Sequence, residues 1–142
     1  MYTVLLILHF IGLAMGVGTS FAGLALGRAA RDLDPPERAK FMLRASAIAK
    51  NGSIGLTLLI LSGLGMWFTR GISQTLAWGG PAFHAKLTLV AILIGTFGTM
   101  QVLQKKAREG GGPAVMAKIP KVGAAMLLLG LGIIVAAVLA FG

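Results

Sequence analysis

The 142-residue chain has no cysteine, so neither a disulfide framework nor a thiolate metal site is available to it. Acidic residues are almost as scarce. The four are Asp32, Asp34, Glu37 and Glu109, and none lies inside a long apolar run. That excludes a membrane-embedded proton-relay carboxylate and a carboxylate acid/base pair there. It equally excludes a Ser–His–Asp set among the apolar segments. Charged residues make up 12% of the chain, about half the share of a soluble domain. The five prolines (Pro35, Pro36, Pro81, Pro113 and Pro120) all stand between apolar runs. Unbroken spans without a polar midplane speak against a carrier. Only two histidines occur, His9 and His84.

What is present is apolar surface and glycine: 56% hydrophobic residues and 21 glycines. Four apolar runs stand out, at about 3–27, 53–69, 83–103 and 122–141. Each approaches the ~20 residues that cross a bilayer core. The expected fold is all-α: an integral membrane bundle of four transmembrane helices, up-down-up-down, forming one domain over 1–142. The helices are expected at about 3–27, 35–69 (with a cytoplasmic extension), 83–104 and 121–141. The first run is expected to be a membrane span rather than a cleaved signal, since it lacks a basic start and its core is too long.

The net charge of +9 is distributed unevenly. Arg28, Arg31, Arg38, Lys40, Arg44 and Lys50 fall between the first two spans, and Lys105, Lys106, Arg108, Lys118 and Lys121 between the last two. Only Arg70 and Lys86 fall on the other side. By the positive-inside rule both basic segments are cytoplasmic and both termini periplasmic. The location implied is a bacterial inner membrane, N-out and C-out, with the lipid bilayer as partner. The basic charge is therefore a topology signal, not a nucleic-acid footprint. Tyr2, Trp67 and Trp78 all fall at the expected outer interface, as an aromatic belt requires.

Among the connections, "DLDPPERAKFMLRASAIAKNG" is the most structured. Asp34 and Glu37 have capping-box spacing, with Pro35 at the first helical position. Phe41, Ala45, Ile48 and Gly52 recur at helical spacing, so the second helix is expected to begin near Pro35 and continue into the membrane. "TRGISQTLAWGGP" reads as the outer loop and "KKAREGGGPAVMAKIPK" as a second inner loop. The latter has no phosphate-cradling pattern.

Small residues mark where membrane helices approach closely. Gly12, Gly16, Thr19, Ser20, Gly23 and Gly27 form one stripe on the first helix, with His9 on it. The second helix offers Gly52, Gly55, Ser62 and Gly63, the fourth Gly123, Gly132, Ala136 and Ala140. On the third, Thr88, Ala91, Gly95, Gly98 and Thr99 form a stripe that includes His84. Both histidines are thus expected to point into the bundle, at ~9 Å and ~5 Å below the outer end. Each either bonds a neighbouring carbonyl or water, or serves as a ligand. Lys86 lies about 200° around from His84, with Leu89, Val90, Leu93 and Phe97, and is expected to face lipid. Its ammonium either snorkels to headgroups or anchors an anionic group such as a porphyrin propionate. Arg70 has the same two readings.

Two neutral imidazoles facing one another across a bundle suit axial ligation of haem b. Copper handling by the same histidines with Met1 and Met66 is a rival use. The alternative ranked ahead of copper is a non-catalytic subunit or assembly partner of a larger membrane complex, or a homo-oligomer, because small stripes occur on all four helices.

Four stretches also carry a family resemblance: "LHFIG", "AGLALGR", "LLILSGLGMW" and "FHAKLTLVAILIG". In these the chain resembles the small four-helix bacterial membrane proteins that include HemJ-type protoporphyrinogen oxidases and CopD-type copper-resistance domains. The resemblance implies a bound b-type haem and functional roles for a histidine in the first helix and a lysine opening the third. Those positions are His9 and Lys86. The activity it implies is oxidation of a porphyrinogen.

Overall fold

The computed structural model describes residues 1–141, apart from the surroundings of Ile72, Thr75, Leu76, Trp78, Gly79 and Phe141. It is all-helical among the described residues: α1 (Tyr2–Ala29), α2 (Pro35–Ala45), a 3-10 turn (Ser46–Ile48), α3 (Ala49–Arg70), α4 (Ile72–Arg108) and α5 (Pro113–Phe141). Four stretches are long and apolar enough to cross a membrane: Tyr2–Ala29, Pro35–Arg70, Gly80–Arg108 and Pro113–Ala140. Helix is the expected solution, since a helix satisfies its backbone polar groups internally where no water can.

α2, the 3-10 turn and α3 follow one another without a loop, as the spacing of Phe41, Ala45, Ile48 and Gly52 requires. Gly52 is buried and the other three are half-buried, while Arg38, Lys40, Arg44 and Lys50 are exposed. Pro35 does occupy the first turn, with Asp34 as N-cap, but no side-chain capping bond forms. The capping-box spacing is present without its hydrogen bonds. The Asp34 carbonyl accepts from the Arg38 N–H at 2.8 Å.

The expected outer loop is instead mostly helix. α4 starts at Ile72, only Gly71 separating it from α3. The helix is interrupted at Gly80, whose φ of 53° and ψ of −157° are non-helical. Such a conformation is costly for any residue with a Cβ, so the break falls on a glycine, directly before Pro81. The Trp78 side chain lies outside the described residues. The second inner loop is also shorter than expected. α5 begins at Pro113 and includes Pro120. The α4–α5 turn closes through the Gly111 N–H on the Lys106 carbonyl at 2.8 Å.

The bundle consists of two tight pairs, α1 with α3 and α4 with α5, joined mainly through α1 and α5. α3 and α4 touch sparingly. The pairs are antiparallel: Leu5 lies against Gly65 and Thr19 against Gly52, and Leu89 against Gly132 and Met100 against Gly123. Both termini therefore share one end, and all eleven cations of the two connecting segments are exposed at the other. We refer to these as the terminal end and the basic end.

α1 and α3 meet backbone to backbone. A Cβ on Gly12 would lie 2.8 Å from the Gly55 carbonyl oxygen, and one on Gly55 would lie 2.8 Å from the Gly12 carbonyl oxygen and from the Gly16 nitrogen. No side chain fits at either position. α4 and α5 solve the same problem differently. The small residues sit on α5, and Leu89 and Met100 of α4 fill the space beside Gly132 and Gly123, each 3.6 Å from the position a Cβ would take.

That asymmetry reverses the expected orientation of α4. His84, Thr88, Ala91, Gly95, Gly98 and Thr99 are exposed, while Lys86, Leu89, Val90, Leu93 and Phe97 are half-buried. Small residues are needed on only one helix of a close pair, so the α4 stripe is not what brings α4 to α5. The other three stripes do face inward, apart from Gly23, which is exposed.

Candidate functional site

His9 is half-buried on α1 and faces α3. Its Nδ1 lies 3.0 Å from the Ser62 hydroxyl oxygen. Gly63 leaves room for the ring, with a Cβ there falling 3.4 Å from His9 Cε1. Ser62 is 3% exposed, a buried polar side chain. Its hydroxyl donates to the Leu58 carbonyl one turn back, the usual way a helix accommodates serine in apolar surroundings. The ring also meets the Leu59 carbonyl.

Lys86 lies on the inward face of α4, half-buried, and close enough to act electrostatically on His9. The expectation that it faces lipid is therefore not met. In apolar surroundings a charge acts over a longer range than in water. The flank between α3 and α4, where the bundle is least closed, runs past this region. Trp67 and Phe83 bridge it at the terminal end, ring centroids 6.2 Å apart and edge to face. At the basic end Gln101 Nε2 donates to Ser53 Oγ at 3.0 Å and Arg108 donates to Ser46 Oγ at 3.2 Å.

His84 is elsewhere. It is exposed on the outer face of α4, and its Nδ1 lies 2.9 Å from the Gly80 carbonyl oxygen, at the helix break. The two histidines thus face in different directions, His9 into the α1–α3 seam and His84 outward. Arg70 is exposed, its guanidinium carbon 4.4 Å from the centre of the Tyr2 ring. That cation–π contact ties the end of α3 to the start of α1.

The structure brings His9 and Ser62 into contact and sets Lys86, on a third helix, within electrostatic reach of His9. Ser62 was visible in the sequence only as one member of a small stripe. The signal that finds it is register: an antiparallel pairing that sets Thr19 on Gly52 and Leu5 on Gly65 also sets Ser62 on His9.

The donor set is one imidazole and one ammonium, and the surface pockets at Phe21, Arg28 and Leu127 and at Glu37, Phe41 and Arg44 lie away from it. An imidazole can supply a nitrogen to a metal, an ammonium can hold a propionate, and glycine keeps the wall beside the ring thin. A bis-histidine site within one chain does not fit, because His84 points away. Among the described residues no group of three His, Cys, Asp or Glu could hold a metal ion, so copper would depend on His9 and thioethers. Compared with family models, curated proteins and solved structures, the chain finds no match in any of the three.

Proposed function

We propose that this protein binds a tetrapyrrole, haem b or a porphyrin, within the membrane, with His9 and Lys86 as the contacting residues. The observation that carries the reading is the convergence of the pair that the HemJ-type resemblance implies. His9 on α1 and Lys86 on α4 come within electrostatic reach of each other inside an otherwise apolar bundle. Ionisable groups buried among membrane helices are costly, and they usually mark function. In this reading His9 offers an imidazole nitrogen and Lys86 neutralises a propionate. The apolar walls of α1, α3 and α4 exclude water. A bound haem would supply one-electron redox chemistry. The most specific form of the proposal is HemJ-like oxidation of a porphyrinogen to a porphyrin, hydrogen passing to a separate electron acceptor.

The orientation that goes with this reading is N-out and C-out in a bacterial inner membrane. It rests on the exposure of eleven cations at the basic end. The site would then lie in the outer leaflet, beside the aromatic residues Tyr2 and Trp67.

The test is spectroscopic. Purified protein titrated with hemin should develop a shifted Soret band, and His9→Ala should abolish it. A wild-type protein that leaves the hemin spectrum unchanged would sink the proposal.

A second reading is favoured by one observation, the exposed α4 stripe of His84, Thr88, Ala91, Gly95, Gly98 and Thr99. A flat face of small residues suits close approach by another helix. The chain would then be a subunit of a homo-oligomer or of a larger membrane complex. Under this reading Gly95→Leu alters the particle size in detergent, and an unchanged monomeric size in both forms counts against it.

A further inference from the structure

The structure assigns to Ser62 the role of a positioning residue that locks His9 in one tautomer, with the proton on Nδ1 and the lone pair on Nε2. The inference deepens the tetrapyrrole reading and rests on it for what Nε2 would meet.

The argument is one of counting protons. A serine hydroxyl has one hydrogen to give and two lone pairs. Ser62 gives its hydrogen to the Leu58 carbonyl, which can only accept. The Leu59 carbonyl, 3.4 Å from the same oxygen, can likewise only accept. Ser62 Oγ is therefore left as an acceptor toward His9 Nδ1, 3.0 Å away, so the hydrogen between them belongs to the ring. A neutral imidazole has one N–H, and here α3 holds it. The remaining nitrogen, Nε2, keeps the lone pair that a metal requires.

Burial makes the arrangement strict. Ser62 is 3% exposed, so water does not compete for its lone pairs. Removing the His9 donor would leave a buried acceptor without a partner. Orientation of a ligating histidine by a hydrogen bond to its other nitrogen is the general way a protein chooses tautomer and ring angle. The sequence contains the means in an economical form: one serine, on the face of α3 that the glycines press against α1.

The test reads the tautomer directly, with no ligand present. Protein labelled with nitrogen-15 histidine has only two imidazoles, and His84→Asn leaves one. At a pH where the ring is neutral, His9 should show a protonated Nδ1 and an unprotonated Nε2. In Ser62→Ala the two forms should mix, and Ser62→Thr, which keeps a hydroxyl in place, should restore the single form. A protonated Nε2 in the wild-type protein, or an unchanged tautomer in Ser62→Ala, would overturn the assignment. Hemin titration of the same proteins is the second measurement. Ser62→Ala should weaken binding roughly 10-fold or more while Ser62→Thr retains it. Failure of wild-type protein to bind hemin would defeat the tetrapyrrole reading alone, because the nitrogen spectra decide the role of Ser62 independently.

Discussion

At the scale of single residues, the tetrapyrrole proposal rests on two side chains with different roles. His9→Ala removes the only inward imidazole, so hemin binding should disappear while folding survives. His84→Ala should leave the hemin spectrum as in wild type, since that ring is exposed and bonded to the Gly80 carbonyl. Equal losses from both substitutions would mean that His84 reaches the cofactor, for instance from a second copy. Lys86 separates charge from shape. Lys86→Arg keeps a cation and should keep binding, whereas Lys86→Leu should lower affinity roughly 10-fold or more, the worth of a charged hydrogen bond of about 1.5–3 kcal/mol. The comparison ligand is a porphyrin without propionates. It should bind wild type and Lys86→Leu equally, and a persisting difference would place the lysine's effect on the fold instead. Binding should also weaken as the solution is acidified through the imidazole's titration, because a protonated ring has no lone pair to offer.

At the scale of elements, the α1–α3 crossing is the least tolerant part of the molecule. Gly12→Ala or Gly55→Ala puts a methyl group 2.8 Å from backbone oxygen. Backbone cannot swing aside as a side chain can, so the helices must separate. A loss of about 1–3 kcal/mol is expected, the usual cost of overpacking, read as reduced resistance to denaturant in detergent. Gly18→Ala on the same helix meets nothing within 4 Å and serves as the control. If Gly12→Ala and Gly18→Ala have the same effect, close packing at Gly12 does not govern the stability of α1. Separation at Gly12 should also carry His9 away from Ser62, so the same variants should loosen hemin binding. The α4 break follows another rule. Gly80→Ala meets no neighbour within 4 Å, but the residue has a φ of 53°, so its cost is conformational, about 1–2 kcal/mol.

At the scale of the whole molecule, the uneven charge makes orientation testable. With thirteen basic residues against four acidic ones, and the basic excess at one end, a reporter joined after Gly142 should be active only outside the cytoplasm. Cytoplasmic activity would move the His9 site to the inner leaflet. The only ion pair among the described residues, Lys105 with Glu109 at 3.9 Å, is exposed on both partners. Pairing within the protein therefore does little to neutralise the basic end, and lipid headgroups and counterions are left to do so.

Four long apolar helices and their alternation of direction were legible without a structure, because each follows from a local count. Apolar length decides whether a segment can span, and the placing of cations decides which segments share an end. The inward faces of α1, α3 and α5 were legible too, since glycine and alanine stripes there do mark close approach. The face of α4 was not. In lipid both sides of a helix are apolar, so no hydrophobic gradient says which side is in, and the glycines that α4 needs are carried by α5. With that face turned, His84 points outward and Lys86, expected to face lipid, points inward. Ser62 came to light for the same reason, through an antiparallel register that no single segment contains. The sequence by itself determined what kind of molecule this is. Which polar side chains meet inside it was decided only by the packing of one helix against another, because contacts between residues more than fifty positions apart depend on rotation and register, and neither is written in the composition of a single helix.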